Sequence, residues 1–249
     1  MLSIFLAAIL SCSLLAACSS GTGASSIPGS KELTIVTTTF PIYDWTMNIL
    51  GDNPAGIKTV MLQGDGTDIH SYQPSASDTM TISNSDLFIY TGGKSDEWVT
   101  NITSHYDING LSLMEALGER DAETDSETDQ EPDPEPDEHV WLSLKNASIL
   151  VGRIASEIVY LDPDNGDHYL ANAAALAKTF DLLDSEYETA VANARTRVLV
   201  FGGRFPFQCM ADDYGLECYA AFNGCSAEKE TDSEVISTLA EKIDDESLG

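Results

Sequence analysis

Positive charge is scarce in this chain: 12 Lys and Arg stand against 41 Asp and Glu among 249 residues, for a formal net charge of −29. Nucleic acids and anionic membrane faces are polyanions, so this surface excludes both as electrostatic partners and favours cations. Long apolar runs are also few. After residue 17 no stretch reaches the ~20 residues that a membrane-spanning helix needs. The five cysteines include no Cys-x-x-Cys, which excludes a zinc ribbon and a thioredoxin-type site. Gly-x-Ser-x-Gly, His-Glu-x-x-His and a phosphate-cradling glycine loop are all absent. A metal-assisted hydrolase needs a general base beside its ligands, and no histidine block offers one in the His-Glu-x-x-His manner, so the chain reads as a non-enzyme. Apolar residues nevertheless make up 43%, enough for a packed core in one or two domains.

The apolar residues open the chain. Residues 1–17 carry no charge and run directly into Cys18 and a Ser/Gly-rich segment. An apolar stretch closed by small residues is a secretory signal. Leu15-Ala16-Ala17-Cys18 resembles the bacterial lipobox, whose cysteine thiol accepts the lipid. Residues 1–17 are therefore expected to be a signal peptide, with Cys18 lipidated and 18–30 a flexible tether. Signals normally begin with Lys or Arg, and the basic residue is missing here.

Beyond the tether, β-branched and apolar runs predict strands at 33–38, 57–62 and 86–90, alternating with helices at 42–50 and 77–84. Such alternation argues for a parallel sheet covered by helices. This N-terminal lobe is expected to span 31–160. Within it, residues 121–138 hold ten acids, three prolines and no base. A self-repelling stretch of that kind cannot pack, so 121–138 is expected to be a disordered acidic loop. An amphipathic helix follows at 146–160. A second, at 166–195, is about 45 Å long and dominates a linking segment at 161–196. Strands at 198–201 and 217–221 and a helix at 233–243 form a small C-terminal lobe, 197–249. The expected fold class is α/β: two lobes with parallel-type sheets joined by one long helix, the second lobe incomplete.

Four histidines are the candidates for metal chemistry. His70 lies in a polar loop after a strand, and His139 directly follows the acidic run. Both occupy loops where open α/β sheets hold ligands. Their separation of 69 residues fits no local metal motif, so on spacing alone each is equally an ordinary surface histidine. His105, on a turn, and His168, at the start of the long helix, have no ligand neighbour in sequence and are read as ordinary surface histidines. Cys209, Cys218 and Cys225 are an odd set of thiols, read as buried free cysteines or as one disulfide plus a free thiol.

The blocks IVTTTFPIYDW, GTDIHSYQPSASD, SDLFIYTGGKSDEWV and DEHVWLSLKNA resemble the zinc- and manganese-binding receptors of bacterial metal-uptake ABC transporters, and VFGGRFPFQCMADDYGLECYAAFNGCSAE resembles a zinc-receptor branch of them. The resemblance runs from residue 31 to the end, with the blocks in the right order. It implies a metal cleft between two lobes, with His70 and His139 as ligands and an acidic loop between them. It also implies a third histidine from the second lobe, at a position that falls near Arg204, and a carboxylate from a block that would lie beyond Gly249. Arg has no lone pair to give a metal, so this chain departs from the pattern, and its second lobe is expected to be truncated. The implied function is a lipid-anchored extracytoplasmic receptor, a monomer, that captures Zn²⁺, or Mn²⁺, for an ABC permease and binds no nucleic acid. An adhesin or surface interaction protein with a decayed metal site is the alternative.

Overall fold

The computed structural model describes residues 32–64, 66–121, 137–222 and 233–245. The proposed signal, Cys18, the tether and Cys225 lie outside the described residues, as does 122–136 of the acidic stretch.

The first lobe is built on four parallel strands: β1 (Thr34–Thr37), β2 (Lys58–Met61), β3 (Leu87–Tyr90) and β4 (Gly110–Ser112), in spatial order β2-β1-β3-β4. Ile35 pairs with Thr59 on one side and Leu87 on the other, and Ile89 pairs with Leu111. Both faces of the sheet are buried, which is why the strands read as continuous apolar runs rather than alternating ones. Ile35, Leu87 and Ile89 face one core, and Val36 and Phe88 the other.

On the first face lie helix α1 (Phe40–Leu50) and helix α5 (Leu144–Leu161). Ala147, Leu150, Val151, Ile154, Ala155 and Ile158 of α5 are all buried, an i, i+3/i+4 stripe laid against α1 and the sheet. Each buried Leu, Val or Ile there contributes about 1.5–3 kcal/mol of transfer free energy. The Ser143 side chain caps α5 by accepting from the Asn146 N–H at 3.0 Å. On the second face, α2 (Ala76–Ser83) and α3 (Trp98–Thr103) bring Ile82, Trp98, Val99 and Ile102 onto Val36 and Phe88. α4 (Leu113–Asp121) follows β4 directly.

The long helix α6 runs Gly166–Ala192, 27 residues or about 40 Å, after a single turn at Pro163–Asn165. Its first half is buried through Tyr169 and Ala173, while Leu182 and Leu183 further along are exposed. Tyr187 of that outer half stacks on Tyr214 at 5.5 Å, and the Tyr214 hydroxyl donates to Asp184 at 2.8 Å. Tyr214 ends α7 (Gln208–Tyr214), which connects the parallel strands β5 (Val198–Arg204) and β6 (Glu217–Phe222) of the second lobe. Gly215 closes α7 at φ 60°, the left-handed cap that glycine adopts freely. Helix α8 (Ser233–Asp245) packs on β5 and β6.

Candidate metal centre

The carboxyl ends of β2, β3 and β5 converge with the start of α5, and the candidate side chains lie on the loops between them. His70 sits in a single helical turn, Ile69–Ser71, after β2. Asp68 accepts the His70 backbone N–H at 3.0 Å, which fixes the start of the turn. Downstream, the Tyr72 ring packs edge-on against Trp98 at 5.7 Å and its hydroxyl donates to Asp78 at 3.1 Å. Ser75 and Asp78 cap α2 reciprocally, so the loop carrying His70 is pinned at both ends.

His139 precedes another single turn, Val140–Leu142, and is buried, 7% exposed. The rings of His70 and His139 lie 5.2 Å apart, centroid to centroid, inclined at 55°. Two imidazoles sharing one tetrahedral zinc through bonds of about 2.0 Å place their centroids about 5 Å apart, so the pair fits such an ion. His105 and His168 are elsewhere. His105 bonds the Asn101 carbonyl at 2.7 Å on the end of α3, and His168 ties α6 to the end of α1 through Leu50 O at 3.1 Å and Asp52 at 3.0 Å.

The Nδ1 nitrogen of each imidazole is held. Asp137 Oδ1 lies 2.6 Å from His139 Nδ1 and also accepts the His139 backbone N–H at 3.0 Å. A carboxylate can only accept, so Nδ1 carries the proton and Nε2 the lone pair. Ser95 Oγ lies 2.8 Å from His70 Nδ1, and Glu138 Oε2 lies 3.7 Å from the same nitrogen. Glu138 Oε1 accepts the Ser95 N–H at 2.8 Å, while Oε2 is buried without a hydrogen-bond partner. Gly93, at φ 75°, makes room for this carboxylate: a Cβ there would stand 2.8 Å from Glu138 Cγ.

Asp137 also reaches the second lobe. Its Oδ2 accepts the Gln208 N–H at 3.1 Å, and its carbonyl faces Cys209 Sγ at 3.9 Å. Beside it, Ser143 donates to Asp213 at 2.6 Å. Arg204, at the end of β5, points its guanidinium at Asp68, 3.8 Å away.

Electrostatics favour a neutral His70. Burial, and then the charge of His139, hold the His70 pKa below the ordinary imidazole value against the pull of Glu138 and Asp68, and Arg204 adds to the lowering. Burial works against the Asp137 carboxylate, but hydrogen bonds from the His139 ring and backbone outweigh it and keep it below the usual carboxylate range. The Cys209 thiol is pushed up to about 11 by burial and then by Asp137, so it is protonated at neutral pH and is no thiolate donor. Among the described residues, no group of three or more His, Cys, Asp and Glu stands ready-made around one ion.

The expectation of a disordered loop over 121–138 needs correcting at its ends. Asp121 closes α4, and Asp137 and Glu138 are held in the site by hydrogen bonds to His139, Gln208 and Ser95. Those partners offset the repulsion that composition alone registers. Sequence reasoning missed Asp137, Glu138 and Ser95. A readable signal existed: Asp68-Ile69-His70 and Asp137-Glu138-His139 share one Asp-x-His spacing, and in both the Asp side chain takes the His N–H at 3.0 Å.

The family model for the periplasmic zinc-uptake complex component A (ZnuA) matches residues 35–249. The zinc-binding lipoprotein AdcA of Streptococcus pneumoniae serotype 4 is 30% identical over 220 residues, which is 85% of this chain and 43% of that protein. The manganese ABC transporter substrate-binding lipoprotein PsaA of Streptococcus pneumoniae is 30% identical over 237 residues, 92% of this chain and 73% of its own length. The crystal structure of the Zn(II)-bound ZnuA-like domain of Streptococcus pneumoniae AdcA aligns with a TM-score of 0.68 at 28% identity, over 87% of this chain and 76% of that one. The chain thus spans under half the length of the AdcA proteins it matches. The α/β class, with two lobes and a long helix between them, is the fold expected from the sequence.

Proposed function

Because the chain belongs to the family of periplasmic zinc-uptake component A proteins, we propose that it is an extracytoplasmic zinc receptor, not an enzyme, that hands its cargo to an ABC permease. The observation that carries this reading is the His70–His139 pair, ring centroids 5.2 Å apart, with each Nδ1 held by an oxygen, which leaves the two Nε2 atoms as the donors for one ion. Imidazole suits Zn²⁺; Mn²⁺ prefers a shell richer in carboxylate, so zinc is the main cargo and manganese the weaker one. Cys18 is the lipid anchor that holds the monomer at the outer face of the cell membrane. No contact among the described residues favours the adhesive reading over this one.

Equilibrium zinc titration tests the assignment. His70→Ala and His139→Ala are expected to weaken binding at least a hundredfold, because one imidazole alone cannot hold the ion, about 2.8 kcal/mol or more. His105→Ala and His168→Ala are expected to leave it within twofold. Equal effects at all four positions, or none at any, refute the two-histidine site.

A further inference from the structure

A zinc ion held by two imidazoles has two coordination positions left. Among the described residues, two of the carboxylates beside the pair are turned to other tasks. Asp137 serves His139 and the Gln208 N–H through its two oxygens. Asp68 takes the His70 N–H and faces Arg204. The third, Glu138, takes the Ser95 N–H through one oxygen, while the other, buried without a hydrogen-bond partner, lies 3.7 Å from His70 Nδ1.

What the second lobe brings to this mouth is Arg204, 43% exposed in its side chain and so open to a partner besides Asp68. A guanidinium donates no lone pair and repels a bare dication. It is also the side chain best shaped to grip a carboxylate with two parallel N–H bonds. The site therefore combines two metal ligands with a carboxylate receptor.

Resting on the zinc-receptor reading above, we propose that the cargo is zinc already chelated by a free α-amino acid, whose donors fill the two open positions and whose carboxylate is held by Arg204. L-Histidine illustrates the fit. Its amine and imidazole chelate zinc, its carboxylate stays outward, and the 1:1 complex carries a net charge of about +1, so a chain of net charge −29 attracts it. Both partners of the Arg204 contact are then satisfied, and the ion reaches its usual four ligands.

Equilibrium dialysis of the full chain against radiolabelled L-histidine, with and without equimolar zinc, tests this. The expected result is one equivalent of histidine retained only when zinc is present. Histamine, which chelates zinc but has no carboxylate, is expected to be retained at least tenfold less tightly. Arg204→Met is expected to weaken zinc–histidine binding at least tenfold while tightening binding of zinc alone, opposite shifts that a folding defect does not produce. Zinc bound no more tightly with histidine than without it, or histidine retention unchanged in Arg204→Met, overturns the inference. Zinc alone bound tightly, and lost in Glu138→Gln, also overturns it by showing that a protein carboxylate completes the shell, and leaves the receptor reading standing. Zinc retained under neither condition overturns both.

Discussion

Asp137→Asn separates orientation of a metal ligand from simple structural support. In the wild type, Asp137 accepts three hydrogen bonds: from the His139 ring at 2.6 Å, the His139 backbone at 3.0 Å and the Gln208 backbone at 3.1 Å. Asparagine keeps one accepting oxygen and replaces the other by an NH₂ donor. If the oxygen takes the Oδ2 place on the Gln208 N–H, the amide NH₂ faces the His139 backbone N–H and Nδ1 and drives the ring proton to Nε2, removing the lone pair meant for zinc. If the oxygen stays on the ring, the Gln208 N–H meets a donor and the contact between lobes opens. Loss of an outer carboxylate partner of a ligating histidine lowers metal affinity about 10–100-fold, or about 1.4–2.8 kcal/mol. Loss of charge-assisted bonds at this largely buried carboxylate lowers apo stability by about 2–3 kcal/mol. Competition against a chelating dye gives the first quantity, and denaturant unfolding without metal gives the second. Zinc affinity within twofold of wild type, with stability reduced as expected, would refute the orienting role and leave Asp137 as a strut between lobes.

Two further outcomes test other parts of the molecule. Cys18→Ala is expected to release the protein into the medium; retention in the membrane fraction after a salt wash contradicts a lipid anchor. Asp96→Asn tests a buried carboxylate whose pKa is raised to about 6, chiefly by burial, against hydrogen bonds from the Gly92 and Thr91 backbone that lower it. A raised carboxyl pKa costs the folded state nothing below the unfolded value near 4 and progressively more as pH rises through 6, to a limit of about 3 kcal/mol. The variant is therefore expected to gain about 1–3 kcal/mol at pH 8 and nothing at pH 4, read from thermal unfolding at the two pH values. Destabilisation at pH 8 would mean that the bonds to Gly92 and Thr91 need the full charge.

The strands were legible where both faces of the sheet are buried. Thr34–Thr37 and Leu87–Tyr90 read as unbroken apolar or β-branched runs, because a parallel sheet between two helical layers has no polar face. β4 escaped the same reading. It is only Gly110–Ser112, and a three-residue strand opening on glycine carries too little pattern to register, although its pairing with β3 completes the sheet. α7 escaped for a similar reason, since seven residues make too short a window for a 3.6-residue period. Its marker was Tyr214-Gly215, an aromatic anchor followed by a left-handed glycine cap. The long helix was legible along its length but not at its end. Ala194 and Arg195 are good helix formers, so propensity extends it, whereas Asn193 is the cap in the folded chain.

The site divides along a different line. A histidine is rare enough in this chain to be noticed singly, and four could be weighed one by one. An acidic residue is common, and ten within 121–138 invite a statement about their average. That average conceals Asp137 and Glu138, whose behaviour is set by partners distant in sequence: Gln208 is 71 residues from Asp137, and Ser95 is 43 from Glu138. Charge composition speaks for a residue only when solvent is its main neighbour. Once a backbone N–H and an imidazole supply the counter-dipoles, the same carboxylate becomes a fixed acceptor with a lowered pKa. Local geometry carried the warning, because an Asp two residues ahead of a residue entering a turn accepts that residue's N–H. Both ligand histidines proposed here follow an Asp at that spacing, and His105 and His168 do not. The spacing marks a histidine whose backbone is held before its ring is asked to hold anything.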